Sequence, residues 1–447
     1  MADKKLAQST DYVIKELSIV SRGSKIDISG LFEEINLYDN LLTPVRSGNI
    51  VIIDAINLTQ NLLLDGTEYL IFIAEKAENL LPFSGLYKIY KQSNRATLTP
   101  NSESYVLHFV SDELLFSNQQ KINQCYEATY SDITRSILKD YLRVPETEFK
   151  GKFDLSFGVA KFIMPNLSPL DAINLCSKRA LDKNNSPNFL FFQNNDGFNF
   201  CTLPTLSKQT EKYKLNFNVK NTSENIEEEL FGVRSYQVIK QFDYLKSLQQ
   251  GVFAGTFIGF DPVTRQIVKR EKNYTDLTEK LKLDRPNYTL DQNRLNVSNY
   301  NSFGSRVSFF PVFSTQNSSS YIQSTNKTSL TNLEPTDEYI FERRAILEAF
   351  LNKRIRLLMP GNFGLSSGYN VLLPIPTSGF KRNNTEDIDE VLAGKYIIVA
   401  TRHIIRYTQH ETVIDVASIE GIRPVNTASV NNAKYIQQSQ QGQFGTN

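Results

Sequence analysis

The sequence predicts a mainly β chain with α+β portions. Three observations carry this. Strand-sized apolar runs punctuated by turn residues fill residues 12–110. A well-capped helix followed by an Asp-Gly hairpin marks a mixed unit in the middle. A second group of strand-like runs closes the chain.

In the first group, residues 12–19, 25–28, 49–53, 69–73, 86–90 and 105–110 read as short strands with no helical pattern between them. Lys25-Ile26-Asp27-Ile28 alternates as a half-buried strand does. Such spacing predicts a small antiparallel barrel or sandwich over residues 1–115.

The period changes near residue 120. Ile133, Ile137, Leu138 and Tyr141 share one face of a helix over 131–142. Ser168 can cap a second helix, with Pro169 at its first position and Asp171 three residues after the serine. Leu170, Ile173, Cys176 and Ala180 follow at helical spacing. Then Phe189-Leu190-Phe191-Phe192, a turn at Asn195-Asp196-Gly197 and residues 198–203 form a hairpin. Residues 116–228 are therefore expected to be an α/β unit, bounded by the acidic stretch ending in Glu227, Glu228 and Glu229.

Beyond that boundary, residues 251–260 and 265–272 read as a strand pair joined at Asp261-Pro262. Residues 262–335 read as a polar insert in which 307–313 is an isolated apolar run. A helix begins at Thr336, and strands are expected at 355–359, 371–375, 396–405 and 412–419. Residues 229–425 thus form a second β-rich domain, and 426–447 a flexible polar tail rich in Asn, Gln and Ser.

Composition narrows the function. The 447 residues are 40% hydrophobic and 22% charged, with 49 Lys+Arg against 48 Asp+Glu. A net charge of +1 gives no general attraction to nucleic acid or an anionic membrane. The polar N-terminus and the lack of a long apolar run argue against export and membrane association. Three cysteines, Cys125, Cys176 and Cys201, read as buried thiols.

Catalytic and cofactor patterns are missing. There is no GxSxG, GxxxxGK[ST] or GxGxxG pattern, and no zinc-ligand spacing. The loop Gly361-Asn362-Phe363-Gly364 to Gly368 precedes a strand, so it reads as a turn, not a phosphate cradle. His403 and His410, beside Glu411, read as strand-end residues near solvent. His108, alternating with Leu107 and Phe109, belongs on the more exposed face of its strand. Lys269-Arg270, Arg343-Arg344 and Lys353-Arg354 each have an acidic neighbour and read as solvated or salt-bridged faces, with an inter-subunit contact as the alternative. No catalytic, cofactor or metal residue is assigned, and the chain is expected not to be an enzyme.

Three segments carry a family resemblance. Leu41-Leu42-Thr43-Pro44-Val45 through Ile53, with Gly66-Thr67-Glu68-Tyr69-Leu70, is the first. The second is Met164-Pro165-Asn166-Leu167-Ser168-Pro169-Leu170-Asp171-Ala172 with Phe191-Phe192 and Asp196-Gly197-Phe198. The third joins residues 251–272, Pro360-Gly361-Asn362 to Gly368, and Gly394-Lys395-Tyr396 to Thr412. In this order they resemble the central baseplate hub protein of contractile-tailed, T-even-like phages, and the N-terminal module of type VI secretion spike proteins. The polar insert and the Gln-rich tail depart from that pattern.

The resemblance implies two tube-like antiparallel β-barrels plus α/β insert domains in each chain. Three chains would close a ring of six barrels that adapts a six-fold tube to a three-fold spike. It implies a homotrimer in the virion baseplate, made in the host cytoplasm. Its partners would be the tail tube protein, the central spike protein, the tape-measure protein and surrounding wedge proteins, with DNA only in transit. No cofactor is implied. The ring-forming strand candidates are Val45, Asn49, Val51, Ile53, Gly251, Phe253, Thr256 and Ile267. The alternative is a monomeric β-rich module that binds a receptor or carbohydrate.

Overall fold

The computed structural model describes residues 9–418, apart from 60–63, 77–80, 146–150, 218–228, 242, 250–253, 262–264, 274–305, 312–335, 377–388 and 390–391. The expected Gly251 and Phe253 and the C-terminal tail lie outside the described residues.

Seven strands open the chain: β1 (Val13–Ser21), β2 (Ser24–Asp27), β3 (Phe32–Asn40), β4 (Ser47–Asp54), β5 (Tyr69–Glu75), β6 (Phe83–Thr99) and β7 (Ser102–Val110). The strand β3 is an addition to the expected set. Its sequence, FEEINLYDN, puts Ile35 and Leu37 inward and Glu34, Asn36 and Tyr38 outward, a pattern diluted by its charges.

A mixed unit follows: α1 (Glu113–Asn118), β8 (Cys125–Ala128), α2 (Tyr130–Asp140), β9 (Ala160–Ile163), α3 (Pro169–Arg179), β10 (Phe189–Asn194), β11 (Gly197–Thr202) and α4 (Leu203–Ser207). Ser168 caps α3 by accepting from the Asp171 N–H at 3.4 Å, and Thr129 caps α2 in the same way. Gly197 turns the β10–β11 hairpin at φ +100°, which a side chain would resist. Ile133, Ile137, Ile173 and Cys176 pack against Phe189, Phe198 and Phe200 in one core.

The last part contains β12 (Tyr213–Lys214), β13 (Asn216–Phe217), β14 (Gly232–Val233), β15 (Ser235–Lys240), α5 (Tyr244–Gln249), β16 (Ala254–Asp261), β17 (Gln266–Asn273), β18 (Arg306–Pro311), α6 (Thr336–Phe350), β19 (Arg354–Pro360), β20 (Asn370–Leu373), β21 (Gly394–Arg406) and β22 (Gln409–Ala417).

Most of the strands join one large sheet, in the order β15-β19-β22-β21-β3-β4-β7-β6-β5-β1-β2, with β20 on β21 and β12 on β20. Among the described residues the path stays open. Two expectations change here. Strands β16 and β17 do not join this sheet; they form a separate three-stranded sheet with β18. The apolar run near 307–313, expected to stand alone, falls in β18 over its described residues, paired parallel to β16 from Gly255↔Arg306 to Phe260↔Pro311. Pairing satisfies its backbone groups, which a lone run leaves open.

The large sheet repeats itself. In its first half β3 pairs β4, β4 pairs β7, β7 pairs β6 and β6 pairs β5. In its second half β15 pairs β19, β19 pairs β22, β22 pairs β21 and β21 pairs β20. All eight pairings are antiparallel. The registers superpose over most positions, although β6 has further bulges at Ser93/Ala96 and Thr97/Thr99 that β21 lacks, and the bulges of β3 (Phe32/Glu34) and β15 (Val238/Lys240) do not coincide. The bulge between Ile89 and Lys91 opposite β7 recurs between Ile398 and Ala400 opposite β22. Inward Ile50 and Ile52 correspond to Leu357 and Met359, Leu107 to Ile414, and Tyr87 to Tyr396. The repeat departs at β12, which is parallel to β20, whereas β1 is antiparallel to β5.

Candidate functional site

The two halves of the large sheet meet at β3 and β21. These pair antiparallel over seven positions, from Asn40↔Ala400 to Glu34↔Arg406. Alternation then gives the whole sheet two unlike faces.

On the inner face the halves are locked by one loop. Residues 361–368 leave β19 in the second half, yet Phe363 sits in the first half's core, 5.4 Å from Phe83 and 6.4 Å from Phe72, ring centre to centre. Leu365, two residues on, belongs to the second half's core. Gly361 is obligatory: a Cβ there would run into the His410 ring. The mixed unit plugs into the same loop. Asn195 donates to the Phe363 carbonyl at 2.8 Å, and Asn194 to that of Ser367 at 3.1 Å. Ser366 donates to Asp39 and accepts from Arg46 at 3.2 Å, so side chains from three parts of the chain converge. The glycines of this loop therefore serve close packing.

His403 and His410 also lie on this inner face, and both are buried. The expectation that they stand near solvent is corrected: the antiparallel register puts them beneath the Phe363 loop. His403 Nδ1 is 3.3 Å from His410 Nε2 and 3.2 Å from Thr412 Oγ1. Burial pulls His403 down to about 4 and His410 well below the ordinary imidazole range, so both are neutral at pH 7. Lys76, buried at the end of β5, is pulled down by burial to about 7.

The outer face carries a polar network that crosses the junction. Glu34 accepts from Arg406 at 3.0 Å and lies 3.8 Å from Arg402. Arg402 donates to Asn36 at 2.9 Å, and Asn36 donates to Asn49 at 3.0 Å. Arg406 and Arg234 each pair with Glu411 at 3.5 Å. Asp415 accepts from Arg356 at 2.7 Å and from Arg354 at 3.2 Å. Hydrogen bonds from Asn36 and Arg406 hold Glu34 below the usual carboxylate range against the opposing effect of burial. A cleft of about 330 Å³ opens on this face between Tyr38, Arg402, Arg356 and Asp415. Its arginines are matched by carboxylates, so the face is polar without one dominant sign.

The candidates read from the sequence fall in three places. Asn49, Val51 and Ile53 lie on the outer face of β4, with His108 beside Asn49 on β7. Val45 precedes β4 and packs into the core of the mixed unit. Thr256 and Ile267 lie in the separate three-stranded sheet, Thr256 buried and Ile267 exposed. Arg402, Arg406 and Arg356 were not singled out from the sequence; one signal was the outward Glu34, Asn36 and Tyr38 between inward Ile35 and Leu37. Two further readings are corrected. Cys125 is exposed, because β8 pairs on a small two-stranded sheet. Arg343 is no solvated cation: it donates to the Ser177, Pro187 and Phe189 carbonyls and ties α6 to the mixed unit.

Among the described residues, no group of three or more His, Cys, Asp or Glu could hold a metal ion, and no helix is long and apolar enough to cross a membrane.

No family model and no curated protein matches the chain. Solved structures similar to it include tail proteins and a type VI secretion component. A tail protein from Neisseria meningitidis is 10% identical at a TM-score of 0.49, over 91% of this chain and 97% of that one. The 43 kDa tail protein of prophage MuSo2 from Shewanella oneidensis is 9% identical at 0.49, over 90% and 97%. An E. coli type VI secretion component, itself described as similar to T4 bacteriophage tail proteins, is 9% identical at 0.43, over 93% and 79%.

Proposed function

We propose that the chain is the structural hub subunit of a phage-tail baseplate. Three copies form a ring with pseudo-six-fold symmetry that joins the tail tube to the central spike. Each half of the large sheet then supplies one wall segment as a tube-like barrel, completed with neighbouring copies. The outer polar face lines the channel through which tape-measure protein and DNA leave. Tube, spike, tape-measure and wedge proteins are the partners, the virion baseplate is the location, and no catalytic step is assigned.

One observation carries this reading: the repeated strand unit, set side by side in a single sheet with a polar network across the junction. A unit used twice per chain gives six equivalents under three-fold closure. Balanced ion pairs on the face suit a conduit, since unmatched arginines would retain phosphates. The sequence resemblance points to the same assembly.

End-on electron-microscopy images of the purified protein test it. Three-fold annuli with an open centre and six lobes are expected. Solid single-copy particles across a concentration series, also with spike partner added, would favour a binding module using the Tyr38–Arg402 cleft.

A further inference from the structure

The repeat identifies two strand edges that have equivalents already joined inside the chain. On β21, one edge is shared by β20 at Gly394–Ile397 and by β3 from Ala400 onward. On β6, its equivalent, the same edge carries β5 at Phe83–Lys88; from Lys91 to Leu98 β7 occupies the other edge, and this edge has no strand partner among the described residues. Likewise β3 pairs β4 on one edge and β21 on the other. Its equivalent β15 pairs β19 on one edge, and its other edge has no strand partner among the described residues. Tyr236, Val238 and Ile239 on β15 are each more than a third exposed, as is Leu98 on β6.

We propose that β15 of one copy pairs antiparallel with the distal part of β6 of a second copy, repeating between copies the β3–β21 junction within each. This rests on the ring reading above and names the edges that close it. The register follows from the repeat. Gln237 faces Arg356 as Asn36 faces Asn49, and Ala96 faces Ser104 as Ile404 faces Glu411. Since Asn36 pairs with Ile404, Gln237 pairs with Ala96 of the next copy. The contact is head-to-tail, so it closes into a ring or grows without limit. It also removes two unpaired edges, which otherwise invite aggregation.

Cysteine cross-linking tests the pairing. In a Cys125→Ser background, full-length protein carrying Gln237→Cys and Ala96→Cys is oxidised and run without reductant. A reductant-sensitive ladder ending at a trimer is expected. Either single variant should stay monomeric. Tyr236→Cys with Ala96→Cys should give no ladder, because a one-residue shift puts the two side chains on opposite faces. Hydrogen exchange on the unmodified protein needs no variant: amides of 235–240 and 91–98 should exchange at least about tenfold more slowly in the assembled form than after dilution. Closed rings without the ladder or the protection would overturn this edge assignment and leave the hub reading standing. Absence of rings at every concentration would overturn both.

Discussion

The ring of Phe363 lies 5.4 Å from that of Phe83, and through this contact a loop of the second half reaches the core of the first. Phe363 is fully buried among Phe72, Phe83, His403 and His410. Phe363→Ala should therefore remove a wedge shared by both halves and cost about 3–5 kcal/mol. Urea unfolding followed by far-UV circular dichroism measures this. A loss below about 1 kcal/mol would show that the loop is not what joins the halves.

Stability should fall on mild acidification. His403 and His410 are buried neutral, with folded pKa values below the unfolded value of about 6.5. Between pH 6.5 and about 4 the unfolded chain binds more protons, so stability present above pH 6.5 is lost as pH falls, by up to about 1.4 kcal/mol per unit for each imidazole. Asp39 favours and Arg46 opposes protonation of His403, while His403 and Lys76 oppose that of His410. Lys76 gives a slope of the same sign at higher pH, since its ammonium is also disfavoured by folding. Thermal melts from pH 4 to 8 should show a steep acid limb that His403→Gln flattens; an unchanged limb would remove these groups as its cause.

Two carboxylates on the outer face should differ in worth. Asp415 is nearly buried and accepts from two arginines, so Asp415→Asn should cost about 1–3 kcal/mol. Glu34 sits among half-exposed arginines, so Glu34→Gln should cost at most about 1 kcal/mol and less in high salt. Chemical denaturation at two ionic strengths gives both numbers. The reverse ranking would mean that the junction, not the β19–β22 pair, anchors the face.

Thiol labelling of the native protein should modify Cys125 alone. Burial pushes Cys176 up to about 12 and Cys201 higher still, and both lie in cores. Mass spectrometry should count one adduct per chain before unfolding and three after. Rapid labelling of Cys201 would show that the β10–β11 hairpin opens readily.

The strands and caps that local rules describe were legible in the sequence. Ser168, Asp171 and Gly197 signal their structures through side-chain capping and positive φ, effects that reach only a few residues. What escaped was the pair β3 and β15, the very strands that stand at corresponding places in the repeat. Alternate residues of each lie on the outer surface, where charges and amides interrupt the apolar alternation that marks a strand. The repeat itself is a matter of pairing and register. Tyr87 and Tyr396 match, but Tyr105 corresponds to Thr412 and Phe109 to Val416, and a core accepts such exchanges when volume is balanced elsewhere. For the same reason His403 and His410 read as exposed: their strand alternates correctly, but a distant loop covers them.

The insertion between β15 and β19 also sets an order of events. In the first half β3 reaches β4 through residues 41–46, whereas in the second β15 waits for a partner beyond residues 241–353. Long closures slow the search for a partner strand. The first half is thus expected to form early and to offer β3 as a ready template on which β21 settles. Shortening residues 274–305, which keeps α6 and its Arg343 tie, should then speed the slow refolding phase while leaving the fast one unchanged.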